Sequence, residues 1–82
     1  MMISPRTFIK EHRNESIEEI IETRDKLIDD IKDLEKIVFS KYRSSDVWDL
    51  NPTPDVQYQV KLEYLLQVCI LLSERYNEKY EV

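Results

Sequence analysis

Residues 54–80 read PDVQYQVKLEYLLQVCILLSERYNEKY, and the apolar positions in this stretch decide the fold. At about 100° per residue, Tyr58, Leu62, Leu65, Cys69, Leu72 and Tyr76 fall on one stripe of a helical wheel. Leu66 and Val68 flank that stripe on opposite sides. Tyr64 and Leu71 widen it, so the middle of the segment is apolar over well more than half its circumference. One neighbouring helix cannot cover so much, and surplus left in water makes a contiguous patch of the kind that marks an interface. Thr53-Pro54-Asp55 supplies the start: a capping residue, a proline in the first helical position and an acid in the positive first turn. The spacing predicts a helix from residue 54 to about residue 80.

Upstream, Ser16-Ile17-Glu18-Glu19 has the form of a capping box. Apolar residues then recur at 17, 20, 21, 27, 28, 31, 34, 38, 39 and 42, which is helical spacing. Good helix formers continue to about Arg43, so a first long helix is expected over 17–43. Before it, Ser4-Pro5 predicts a short helix to about His12 that presents Phe8 and Ile9. Residues 44–53 (SSDVWDLNPT) form the one clear loop. Two helices of about 27 residues, each about 40 Å long, joined by a ten-residue loop pack most simply as an antiparallel hairpin. The whole chain, 1–82, reads as one all-α domain, a helical hairpin preceded by a short N-terminal helix, with a homodimeric four-helix bundle as its expected completion.

Size favours that completion. A domain of 82 residues buries only about 60% of the surface its unfolded chain exposes and is marginal without added support. The single cysteine, Cys69, rules out an internal disulfide and fits a reducing compartment. One cysteine and one histidine cannot build a tetrahedral zinc site, so neither metal nor cofactor is expected. Oligomerisation remains.

Composition excludes several functions. With 12 basic and 17 acidic side chains the net charge is −5, and the cations are scattered singly among acids; nucleic-acid binding needs them clustered. No run approaches the roughly 18 apolar residues of a membrane span, and residues 1–10 carry no apolar signal core. Asn14-Glu15-Ser16 matches the glycosylation sequon but has no secretory context. A cytoplasmic protein is expected. Glycine is absent, which removes the usual phosphate-cradling loops.

Two charges on the first long helix carry the sharpest signal. Arg24 lies between Ile20/Ile21 and Leu27/Ile28, and Glu35 between Ile31 and Val38/Phe39. Both sit on the apolar stripe, where an unpaired buried charge costs about 3–5 kcal/mol. Eleven residues, about 16 Å, keep them apart within one helix. Across an antiparallel copy of the same helix, Arg24 falls opposite Glu35, the two-fold axis passes between Asp29 and Asp30, and Ile28 faces Ile31. The alternative has Arg24 reaching solvent, Glu74 or the Tyr76 hydroxyl within its own hairpin. Arg24, Ile28, Ile31, Glu35, Tyr64, Val68 and Leu71 are the expected interface.

Other features take plainer readings. Glu18, Glu22, Asp25, Asp29 and Asp33 form a solvated outer face. Trp48 and Leu50 in the loop either plug the end of the bundle or offer a partner-binding contact. Cys69 reads as a small core residue, His12 as a surface residue, and the five tyrosines as core with hydroxyls at the rim. No catalytic constellation is present, and an enzyme is not expected. The function implied is a protein–protein interaction or regulatory module, acting as a homodimer on an unknown protein partner. The alternative is a small-molecule module with a pocket in the helical core near Cys69, Tyr58 and Tyr76; a small helical enzyme ranks behind both.

Overall fold

Ser4 starts the first helix, its hydroxyl oxygen accepting from the Thr7 N–H at 3.2 Å. Ser16 starts the next through a reciprocal capping box: the Glu19 N–H donates to the Ser16 hydroxyl (3.2 Å), and the Ser16 N–H donates to the Glu19 carboxylate (3.3 Å). In this computed structural model, which describes residues 2–40 and 45–80, the helices are α1 (Pro5–His12), α2 (Ile17–Val38), α3 (Ser45–Trp48) and α4 (Pro54–Tyr80). No strand occurs among the described residues. Before α4, the Gln57 side-chain amide donates back to the Pro52 carbonyl at 2.8 Å and the Thr53 hydroxyl donates to Asp55.

Two boundaries differ from expectation. The first long helix ends at Val38, not near residue 43. Ile37-Val38-Phe39-Ser40 is a run of β-branched, aromatic and hydroxyl residues, all weaker helix formers than those before them. Phe39 leaves the helical region (φ −97°, ψ 8°), and the Ser40 N–H tightens the last turn onto the Ile37 carbonyl at 3.3 Å. The expectation for residues 41–44 lies outside the described residues. Within the expected loop, Ser45–Trp48 forms one helical turn.

α2 and α4 pack along each other, with Lys61 Nζ on Asp30 (2.8 Å) and the Tyr58 hydroxyl on Glu35 (2.8 Å) fixing an antiparallel register. The hairpin is therefore observed. α1 lies against α4 on one side. Ile9, Ile20, Leu27, Tyr64, Val68 and Leu71 make the core that joins all three. Val68 is 0% exposed. Phe8 stacks on Tyr64 with ring centroids 4.2 Å apart and planes 14° from parallel. Polar contacts fasten the same strap: the Tyr64 hydroxyl donates to the Ile3 carbonyl, and Arg75 donates to the carbonyls of Arg13 and Glu15. These close the α1–α2 corner onto the distal half of α4. Burial pushes the Tyr64 hydroxyl above its ordinary pKa, and the charge of Glu11 adds to the shift.

The face of α4 that fills this core is not the stripe the wheel selects. Tyr64, Val68 and Leu71 are buried inside the single chain, whereas Leu62, Cys69 and Tyr76 are exposed. Because α4 is apolar nearly all round, its pattern leaves the inward direction undetermined. α1 settles it, by covering the Tyr64–Val68–Leu71 side. Replacing Ile20, fully buried, by Ala is expected to destabilise the chain by about 2–5 kcal/mol in chemical denaturation. Leu66→Ala, at a position 57% exposed, is expected to change the stability of the dilute chain by less than about 0.5 kcal/mol.

Candidate functional site

The side of the hairpin opposite α1 stays open. From α2 it presents Ile17, Ile21, Arg24, Ile28 and Glu35, all half-buried, and ends on Phe39, which is 71% exposed. From α4 it presents half-buried Tyr58, Leu65 and Leu72 beside exposed Leu62, Cys69 and Tyr76. On α4 this is the wheel stripe itself, turned outward. An apolar face running the length of a hairpin, rimmed by charges, has the composition of a contact surface. Leu66 and Ile70, both exposed, carry it round the outer flank of α4.

Each end of the face has its own architecture. At one end the Phe39 ring meets the Tyr58 ring edge-on, 5.8 Å between centroids and 87° between planes. At the other, Ile17, Ile21 and Arg24 of α2 face Leu72, Tyr76 and Tyr80 of α4 across an open groove. Tyr76 and Tyr80 sit side by side, with ring centroids 5.1 Å apart, and form the outer wall.

The two stripe charges are partly satisfied within the chain. Arg24 Nε and Nη2 donate to the neighbouring Asp25 carboxylate at 3.1 and 2.9 Å, and the Arg24 side chain remains 38% exposed. It takes this route rather than Glu74 or the Tyr76 hydroxyl. Glu35 accepts from the Tyr58 hydroxyl. That hydrogen bond raises the Tyr58 pKa, and desolvation and the carboxylate charge push the same way.

The expected interface residues divide into two sets. Arg24, Ile28 and Glu35 belong to the open side. Ile31, Tyr64, Val68 and Leu71 are buried against the chain's own helices, because α1 and the α2–α4 seam already cover them, and they offer no contact surface. Ile31 cannot be the residue that Ile28 meets in a partner. Cys69, expected in the core, is exposed on the open side. Leu50 is exposed and Trp48 half-buried. His12 is half-buried against Phe8 and paired with Glu15 rather than free on the surface. Sequence reasoning passed over the aromatic knob, Phe39, whose spacing made it one more core position; it lies just past the end of α2, 71% exposed.

Among the described residues no group of three or more His, Cys, Asp or Glu side chains could hold a metal ion, and no helix is long and apolar enough to cross a membrane. Comparison with protein-family models, with curated proteins and with solved structures gives no match to this chain.

The raised tyrosine pKa values have a stability consequence. A hydroxyl whose folded pKa lies above the unfolded value near 10 contributes stability in full below that pH and loses it as pH rises through the folded value. Ultraviolet titration is expected to resolve late-ionising tyrosines above pH 10, with one late phase lost in Tyr58→Phe. The folded chain is expected to weaken over that same range.

Proposed function

We propose that the chain is an interaction or regulatory module that works as a homodimer, two hairpins closing their open sides on each other into a four-helix bundle. The supporting observation is the placement of Arg24 and Glu35. They are opposite charges on one apolar face of one helix, eleven positions apart, and a two-fold axis level with Asp29 and Asp30 exchanges them. Two Arg–Glu pairs form at once in an isologous contact, and buried polar pairs of this type set register and orientation. Releasing Arg24 from Asp25 costs little, since exposed pairs are worth about 0–1 kcal/mol. Glu35 has two carboxylate oxygens and can keep Tyr58 while receiving Arg24.

Size is adequate. Two helices about 10 Å apart, paired over the roughly 33 Å of α2, offer a footprint on the order of 600–700 Å² before side-chain relief is counted. Stable interfaces take about 800 Å² per partner. The dimer would present its acidic outer faces and the exposed Leu50 beside Trp48 as contacts for another protein.

Sedimentation is expected to give about 20 kDa, twice the chain mass of 10.0 kDa. Arg24→Glu and Glu35→Arg singly set like charges opposite each other and are expected to weaken association at least tenfold. Combining them is expected to restore it. A stable monomer at high concentration, or a double variant no better associated than the singles, would sink this reading.

A further inference from the structure

Resting on that dimer, we propose that Phe39 of each copy is the knob that fills the groove of the other, between Ile17, Ile21 and Arg24 on α2 and Leu72, Tyr76 and Tyr80 on α4. Three considerations place Phe39 in this seat. First, the axis demanded by the two charges lies between residues 29 and 30, so Phe39, about 14 Å beyond it, falls level with Ile20 of the second copy. Second, the intramolecular register set by Asp30–Lys61 and Glu35–Tyr58 puts that same level at Leu72 on α4, inside the groove. Third, Phe39 caps α2 at a position that continues the helical spacing of Ile21 and Ile28, on the side that carries the groove.

Both halves of the contact are unfinished in the single chain. Phe39 is the most exposed of the large apolar side chains among the described residues and meets the Tyr58 ring edge-on. The groove is lined by three aliphatic side chains, two tyrosine rings and the Arg24 guanidinium, together with Glu18 and Lys79, and its aliphatic, aromatic and cationic groups are ones that hold an aromatic ring. Arg24 lies in that groove, so its turn from Asp25 toward the partner's Glu35 would also close the guanidinium over the incoming ring. Charge and aromatic anchor then act at one place. Symmetry makes two such seats, one at each end of the bundle, while the middle is closed by Leu62, which lies level with the axis.

Cysteine cross-linking in a Cys69→Ser chain tests the seat separately from the dimer. Phe39→Cys combined with Ile21→Cys is expected to form a disulfide-linked dimer under mild oxidation. The two positions are about 27 Å apart within one chain and cannot close internally. Neither single substitution is expected to link in this register, because each lies about 25 Å or more from its own symmetry mate. Leu62→Cys alone reports the axis and is expected to link. If Leu62→Cys links and the double variant stays unlinked at a concentration where sedimentation finds it dimeric, the Phe39 seat is wrong and the dimer stands. If neither links and the mass is that of one chain, both fail. As a second measure, Phe39→Ala is expected to weaken association at least tenfold with the circular dichroism of the dilute chain unchanged; full association in that variant would overturn the seat.

Discussion

Everything in this molecule depends on how α4 is covered. Its central turns are apolar on three sides, and the chain supplies cover for two of them: α2 along its length and α1 across the Tyr64–Val68–Leu71 side. Among the described residues, eight hydrophobic side chains reach the buried state, a small core for a chain of this length. The remaining apolar side of α4 is not a scatter of single exposed residues, which any surface tolerates. Tyr76 and Leu72 face Ile21 across the groove and Tyr58 meets Phe39 at the other end, and contiguity is what gives an apolar surface its meaning.

The N-terminal strap decides which side stays open. Phe8 and Ile9 are brought onto α4 by the short turn between two capped helices; Arg75 holds that turn through the carbonyls of Arg13 and Glu15, and Tyr64 holds the segment before α1 through the Ile3 carbonyl. A carbonyl at a helix C-terminus has no partner within its helix, so the Arg75 contacts satisfy groups that would otherwise need water. The strap adds packing and also assigns direction. With it on one side, the wheel stripe of α4 is turned outward on the other.

Local signals in the sequence were legible and global orientation was not. Ser4, Ser16 and the Thr53-Pro54 pair mark three helix starts because a cap acts through its own neighbours, three residues away at most. The hairpin followed from two long helices and one loop. What could not be read was the inward face of α4, since a helix apolar on nearly every side carries no preferred direction, and the choice fell to α1. Assigning Tyr64, Val68 and Leu71 to an interface and Cys69 to the core inverted that helix for this reason. The end of α2 was missed differently. Without glycine in the chain no stop signal stands near residue 39, and the termination comes from accumulated weak propensity in Ile37-Val38-Phe39.

Net charge sets a limit on any closed assembly of this chain, because each copy carries −5 and two copies repel. The distribution of that charge matters more than its sum. Glu22, Asp25, Asp29 and Asp33 are exposed on α2, so in a bundle closed through the open side they would stand at the outer flank, screened within about 8–10 Å at ordinary ionic strength, whereas Glu18 lines the groove with Lys79 of α4. The open side itself holds Arg24 and Glu35 on α2, and these would attract across the proposed two-fold axis. Repulsion is therefore long-ranged and yields to salt, whereas the attraction is short-ranged and desolvated. An antiparallel arrangement of α2 against α2 gains from both facts. A parallel one would set Arg24 against Arg24 and Glu35 against Glu35 in the part of the interface with least water to screen them. In the proposed dimer the same two residues would thus favour the antiparallel pairing and disfavour the parallel one.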